Sequence, residues 1–114
     1  MSVQIKRVYE EPSDDDGFRV LVDRLWPRGV SKENAAVDLW SKEVAPSPSL
    51  RKAYHHEGMG WESFKARYEV ELDGNDAVEQ LRERLKGHDV VTLLYATDDE
   101  EHNHAVLLRQ RLTD

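Results

Sequence analysis

One segment of the chain joins an apolar run to side chains that can do chemistry, Val20-Leu21-Val22-Asp23-Arg24-Leu25-Trp26-Pro27-Arg28-Gly29. The fold itself requires only a turn after the apolar run, and Pro27 and Gly29 supply one. It does not require the guanidinium groups of Arg24 and Arg28, which are rigid donor forks suited to phosphate or carboxylate. In a chain with a net charge of −7, this placement predicts a binding site for a small anion.

A second polar segment follows the apolar run at residues 90–96 and extends to His104. Within it, Asp98 and Glu101 resemble a capping box, which predicts that the last helix begins there. In open α/β sheets, ligands bind beyond the carboxyl ends of the strands. We therefore expect residues 18–23 and 90–96 to be neighbouring parallel strands whose polar ends form one crevice.

The crevice residues have natural roles in anion chemistry. Arg24 and Arg28 would hold the anion, and Trp26 could line a wall of the pocket. His102, expected in the first turn of the last helix, could act as a general acid/base, with Asp23 orienting an Arg or the His. Two alternatives remain open: Asp23 could form a buried structural ion pair with one of the arginines, and His102 could be an exposed cap residue.

The sequence does not predict a metal site or a cofactor. It contains no cysteine, which excludes thiolate ligands and a catalytic thiol. His102 and His104 point to nearly opposite sides of a helix, whereas a shared ion requires i, i+4 spacing. His55 and His56 diverge in the same way, and we expect them on the surface. No glycine-rich loop is present to cradle the phosphates of a cofactor.

Length and composition predict a single domain over residues 1–114, because 114 residues are too few for two cores. Net negative charge disfavours a dedicated duplex-DNA protein, since neutralising phosphates requires a basic face. The first residues include no long apolar run. We therefore expect neither a signal peptide nor a membrane span. The expected location of the protein is the cytoplasm.

Apolar periodicity indicates strands at residues 3–9, 18–23 and 90–96, with residues 38–44 divided between an edge strand and an irregular segment. Caps and helical spacing predict helices that start near Ser47, Trp61, Asp76 and Asp98. Strands separated by helices require a crossover connection, and hence a parallel pair. The expected fold class is an α/β sandwich of two or three layers, with a mostly parallel sheet of three or four strands.

Three strings carry a family resemblance: residues 20–29, residues 38–47, and residues 92–96 together with Asp99-Glu100-Glu101-His102-Asn103. In these strings the chain resembles the YeaO-like proteins, small bacterial proteins within the larger family called domain of unknown function 488. The resemblance covers nearly the whole chain. It implies a small Rossmann-like or flavodoxin-like fold and no established activity. The site residues that match the YeaO-like pattern are Asp23, Arg24, Arg28, Lys42, His102 and Asn103.

The chain departs from the wider family in two short strings. Members of that family carry Cys-Ala-Glu where this chain has Tyr95-Ala96-Thr97, and Cys-His-Arg where it has Asn103-His104-Ala105. A thiol- or metal-dependent activity of those relatives therefore does not carry over. Tyr95 and Asn103 retain hydrogen-bonding groups, and the resemblance makes them candidate ligand-binding residues.

Three functions remain compatible with the sequence. The first is an enzyme that acts on a phosphorylated or nucleotide-like small molecule, with His102 as general acid/base. The second is a non-catalytic module that binds an anionic ligand or an acidic partner segment through the same residues. The third is a nucleic-acid accessory protein that uses Trp26 for base stacking, which the net charge disfavours.

Overall fold

Four parallel strands form one sheet in the order β1-β4-β2-β3. In this computed structural model, which describes residues 1–113, the strands are β1 (Ser2–Arg7), β2 (Phe18–Leu21), β3 (Leu39–Trp40) and β4 (Val90–Tyr95). Strand β4 lies in the interior of the sheet, paired with β1 on one side and with β2 on the other. The prediction that the second and last strands are parallel neighbours is confirmed, and so is the α/β fold class.

In the described part of the chain, five α-helices connect or follow the strands: α1 (Lys32–Ala35), α2 (Pro48–His56), α3 (Trp61–Asp73), α4 (Asp76–Leu85) and α5 (His104–Thr113). The start of α2 follows from its sequence, because the Ser47 side chain accepts the N–H of Leu50 and Pro48 occupies the first helical position. Asn75 caps α4 in a similar way through the N–H of Ala77. Within residues 1–113, no helix is both long and apolar enough to cross a membrane.

The alternation of side chains along the interior strands divides the apolar core between the two faces of the sheet. Val20 and Leu93 belong to a large buried cluster built with residues of α2, α3, α4 and α5. Leu21 and Leu94 belong to a smaller cluster on the opposite face, where Ala35 of α1 covers them. The two helices that follow β2 and β4 therefore lie on opposite faces.

The last helix begins later than the capping-box pattern predicts. Asp99 instead caps a turn, in which its Oδ1 accepts the N–H groups of Glu101 and His102 at 3.1 and 2.9 Å. Asn103 then caps the helix itself, because its Oδ1 accepts the N–H of Val106 at 3.1 Å. The prediction that Asp98 and Glu101 open this helix is wrong, and α5 starts at His104.

The ambiguous segment at residues 38–44 contains both of the expected alternatives. Leu39 and Trp40 form a two-residue edge strand against β2, and residues 42–44 form a 3₁₀ turn. Such a short edge leaves few unpaired backbone groups open to other chains.

Candidate functional site

A crevice opens where the chain leaves the carboxyl ends of β2 and β4. After β2 the chain passes to the α1 face, whereas after β4 it passes to the α5 face. Such a divergence between neighbouring parallel strands is the usual ligand position in an open α/β sheet. The two strand ends are joined by Asp23, whose Oδ2 accepts the N–H of Ala96 at 3.0 Å.

The crevice holds a cavity of about 480 Å³, within the range of small-molecule sites. Among residues 1–113, the only carboxylate that lines it is that of Asp23. The basic side chains of its lining come from the segment after β2, from α2 and from the start of α5, and they are Arg24, Arg28, Arg51, His55, His56 and His104. A basic cavity in a protein of net charge −7 is a local electrostatic feature suited to a small anion.

The guanidinium of Arg24 is fixed in place by the protein backbone. Its Nε donates to the carbonyl of Pro46 at 3.2 Å, and its Nη2 donates to the carbonyl of Ala45 at 3.0 Å. A guanidinium has five N–H donors, so the edge that carries Nη1 keeps donors for a ligand. Within residues 1–113, no carboxylate forms an ion pair with Arg24, although it is only partly exposed.

Arg28 and Arg51 add two guanidiniums that also lack a carboxylate partner within residues 1–113. Both side chains are exposed and line the cavity. Arg28 follows Pro27, which is buried, and its carbonyl accepts the hydroxyl of Tyr9 at 3.1 Å. The turn that carries Arg28 is therefore anchored at both sides, while its guanidinium remains open to the crevice.

Asp23 pairs with a histidine and not with an arginine. The Nε2 of His104 lies 3.1 Å from Asp23 Oδ1 and 3.0 Å from the carbonyl oxygen of Val22. Because both oxygens only accept, Nε2 is assigned the ring proton, which it donates to Val22. Asp23 Oδ1 sits at ion-pair distance but off the N–H direction, so this buried oxygen has no aligned donor within residues 1–113. The alternative that the sequence left open, an ion pair between Asp23 and one of the two arginines, is not formed within residues 1–113.

His102, the sequence-based candidate for acid/base chemistry, lies outside the cavity lining. Its side chain is about half exposed (51%), and its ring packs against that of Trp61 at a centroid distance of 5.0 Å. The late start of α5 explains the difference, because the first residue of the helix that meets the crevice is His104 and not His102. The structure thus brings His104 to Asp23 in the place expected for His102.

The remaining predicted residues divide between the cavity and its surroundings. Trp26 and Asn103 line the cavity, although the side chain of Asn103 is already committed to capping α5. Tyr95 is buried in the large apolar cluster and does not line the cavity. Lys42 is exposed, with its Nζ 5.0 Å from the ring centre of Trp40, and it also lies outside the lining.

Helix α2 contributes cavity residues that the sequence did not assign to the site, including His55 and His56, which are exposed as expected but also line the cavity. Arg51 and His55 are four residues apart and therefore share one helix face, and His56 follows them. The side chain of His55 is exposed, but partial desolvation lowers its pKa below the ordinary 6.5, and the neighbouring basic groups Arg51, His104 and His56 lower it further. This spacing is visible in the sequence, but nothing local indicates that α2 packs beside the carboxyl ends of β2 and β4.

The cavity offers binding groups and no paired nucleophile. Its hydroxyl groups belong to Tyr9, Tyr54 and Thr97. The two tyrosine hydroxyls donate to backbone carbonyls, and that of Thr97 lies next to a backbone N–H. An activated nucleophile requires a neighbouring base, which none of the three has in residues 1–113. The same residues contain no cluster of three or more side chains suited to a metal ion.

Comparisons with known proteins place this arrangement among uncharacterized relatives. A family model described as "Inactive DUF488-N3 subclade" (DUF488-N3i) matches residues 2–114. An uncharacterized protein of Mycobacterium tuberculosis (strain ATCC 25618 / H37Rv) is 46% identical over 110 residues, which cover 96% of this chain and 92% of the relative. The uncharacterized protein YeaO of Escherichia coli (strain K12) is 41% identical over 108 residues, covering 95% and 94%. No solved structure matches the chain.

Proposed function

Because the chain belongs to the YeaO-like DUF488 proteins, in the inactive DUF488-N3 subclade, we propose that its crevice binds a small phosphorylated anion without transforming it. The observation that carries this proposal is the state of Arg24. Its guanidinium is partly buried and held by two backbone carbonyls, yet it has no carboxylate partner within residues 1–113. Partly desolvated charges are normally paired, and an anion would complete this one.

The number of basic groups favours a phosphoryl group over a carboxylate. Among residues 1–113, three guanidiniums and three imidazoles border the cavity, and the one carboxylate there, that of Asp23, already contacts His104 and the N–H of Ala96. A terminal phosphoryl group carries close to two negative charges near neutral pH and three strong acceptor oxygens. Arg24, Arg28 and Arg51 can address these oxygens from different sides.

Catalysis is the second candidate function, and one feature favours it. Asp23 and the Val22 carbonyl hold His104 through Nε2, which leaves Nδ1 as the proton acceptor of a neutral ring. A histidine oriented in this way can act as a general base. The absence of a paired nucleophile among the described residues, and the description of the family as inactive, favour binding over catalysis.

The proposal is tested by titrating the protein with inorganic phosphate and with sulfate, using calorimetry and thermal unfolding. A ligand that binds only the folded state at 100 times its Kd stabilises the protein by about 2.7 kcal/mol. Arg28→Gln and Arg51→Gln should each reduce this stabilisation. Arg84→Gln is the matched control, because Arg84 is an exposed arginine of α4 outside the cavity and its replacement removes the same charge.

Equal losses in all three variants would point to a general charge effect and contradict a built site. If the unmodified protein bound neither phosphate nor sulfate, the proposed anion site would also be contradicted. Turnover of a phosphorylated metabolite that is lost in His104→Gln would instead support the catalytic alternative.

A further inference from the structure

Two aromatic side chains border one wall of the basic cavity, Trp26 from the segment after β2 and Tyr9 from the segment after β1. Tyr9 is 47% exposed, and Trp26 is half-buried. Beside them, Leu25 is 60% exposed and also lines the cavity. Exposure of apolar surface to water costs free energy, and contiguous exposed apolar patches commonly mark ligand sites.

Both rings are held rigidly by the same turn. The hydroxyl of Tyr9 donates to the carbonyl of Arg28 at 3.1 Å, and the Nε1 of Trp26 donates to the carbonyl of Val30 at 2.7 Å. The guanidinium of Arg7 lies over the Tyr9 ring, 5.1 Å from its centre. Trp40 meets Trp26 edge to face at 5.5 Å between centroids. A ligand that stacks on these rings would therefore lose little entropy in ordering them.

The carbonyl of Arg28 couples this wall to the anion-binding residues. Tyr9 bonds to the same residue whose guanidinium opens to the cavity, and Trp26 stands two positions before it. The turn after β2 thus contributes to both surfaces through Trp26 and Arg28, and Tyr9, just beyond β1, is bonded to it. A ligand that fits both must carry an anionic group and a flat apolar ring within the dimensions of a cavity of about 480 Å³.

We propose that the ligand is a mononucleotide, whose phosphate meets Arg24, Arg28 and Arg51 and whose base packs against Tyr9 and Trp26. This inference rests on the proposed function, since it assigns a ligand class to the same crevice. A sugar phosphate would satisfy the cations but leave the aromatic wall exposed. A nucleobase satisfies both, because every base has a π face that stacks on aromatic side chains.

The test compares ribose 5-phosphate with the four ribonucleoside 5′-monophosphates and with the corresponding nucleosides, by calorimetry at one ionic strength. Ribose 5-phosphate carries the same sugar and phosphate without a ring. At least one mononucleotide should bind roughly five- to a hundredfold more tightly than ribose 5-phosphate, the contribution of one stacked base. Nucleosides, which lack the phosphate, should bind more weakly than the nucleotides.

Two variants of one residue locate the effect. Tyr9→Leu should lose most of the preference for mononucleotides over ribose 5-phosphate, while its affinity for ribose 5-phosphate should equal that of Tyr9→Phe, since both variants lack the hydroxyl bond to the Arg28 carbonyl. Tyr9→Phe is the matched control, because it removes only the hydroxyl and should keep the preference. Since Tyr9 lies at the surface, both variants should fold, which thermal unfolding verifies.

The outcomes separate this inference from the proposed function. Equal affinities for ribose 5-phosphate and for all mononucleotides would overturn the mononucleotide assignment and leave phosphate binding intact. Failure of every phosphorylated ligand, inorganic phosphate included, would overturn the proposed function itself. A preference for mononucleotides that Tyr9→Leu and Trp26→Leu both leave unchanged would overturn the assignment of the aromatic wall.

Discussion

The Nε2 of His104 lies 3.1 Å from Oδ1 of Asp23, so the first residue of α5 is paired with the segment that follows β2. The other oxygen of Asp23 accepts the N–H of Ala96, just beyond β4. One carboxylate therefore connects the three parts of the chain that meet at the crevice. This contact makes Asp23 a positioning residue for the site.

The first prediction concerns the coupling of this pair. Asp23→Asn should destabilise the fold by about 1–2 kcal/mol, because the amide keeps one oxygen for the N–H of Ala96 but places NH2 donors, in place of a carboxylate oxygen, beside Nε2 of His104. His104→Gln should also be destabilising. In a double-mutant cycle, the two effects should differ from additivity by about 1 kcal/mol, measured by denaturant unfolding.

Glu83→Gln provides the control for this cycle. Glu83 lies on α4, outside the cavity lining, and its side chain contacts Lys86. Its effect should add to that of Asp23→Asn within roughly 0.5 kcal/mol. Full additivity of Asp23→Asn with His104→Gln would mean that the contact at 3.1 Å contributes nothing to stability.

The second prediction separates two arginines of the same site. Arg24→Lys should destabilise the free protein by about 1–2 kcal/mol, since an ammonium cannot bond the carbonyls of Ala45 and Pro46 in the same geometry. Arg28→Lys should change stability by only ~0–1 kcal/mol, because Arg28 is exposed. Both variants should weaken phosphate binding. Thermal unfolding without and with phosphate measures the stability of the free protein and its stabilisation by the ligand. A large loss of stability in Arg28→Lys would show that Arg28 has a structural role.

The sequence was sufficient to predict the sheet edge that forms the crevice. An apolar run that ends in polar residues occurs twice, after Val22 and after Tyr95, and a long helical region separates the two. The crossover rule then makes these strands parallel, so their carboxyl ends meet at one edge. The structure confirms this pairing in the register Leu21 to Leu94.

The residues that the sequence could not predict depend on tertiary placement. Whether His102 or His104 meets the crevice depends on where α5 begins, and both Asp99 and Asn103 are candidates for its N-cap. The start of the helix is fixed by tertiary packing and not by the local sequence. Arg51 and His55 enter the site because α2 lies beside the crevice, and the local sequence of α2 does not encode its neighbours.

The third prediction concerns a buried ion pair outside the crevice. Arg19 and Asp16 form it, both about 5% exposed or less, and Arg19 also donates to the carbonyls of Ala35 and Ala36. Asp16→Asn should destabilise the fold by about 3 kcal/mol, because it leaves a buried guanidinium without its counter-charge. Glu83→Gln, which breaks an exposed pair with Lys86, should change stability by at most ~1 kcal/mol. Equal losses in the two variants would contradict this difference.

The same carboxylate predicts the acid limit of the fold. Burial raises the pKa of Asp16, but hydrogen bonds from Ser13, Lys6 and Arg19 outweigh burial and hold it below its ordinary 3.8. A lowered folded-state pKa contributes stability that is present above 3.8 and is lost as the pH falls through the folded-state pKa. Denaturant unfolding at a series of acidic pH values should therefore show a stability loss below about pH 4 that is smaller in Asp16→Asn.

The last prediction concerns the pH dependence of anion binding, with sulfate as the probe because it remains a dianion throughout the range used. The pKa of His55 lies below its ordinary 6.5, owing first to desolvation and then to the neighbouring basic groups Arg51, His104 and His56, while Asp23 opposes the shift. A bound dianion stabilises the imidazolium and raises this pKa, so binding takes up a proton. Sulfate affinity should therefore increase as the pH falls from about 8 to about 5, by at most roughly tenfold per pH unit for each proton taken up.

His55→Gln should flatten this dependence of sulfate affinity on pH, whereas Arg84→Gln, at a residue outside the cavity, should leave its slope unchanged. Calorimetry in two buffers of different ionisation enthalpy measures the proton uptake directly, and an affinity that does not vary with pH would show that His55 is not coupled to the anion.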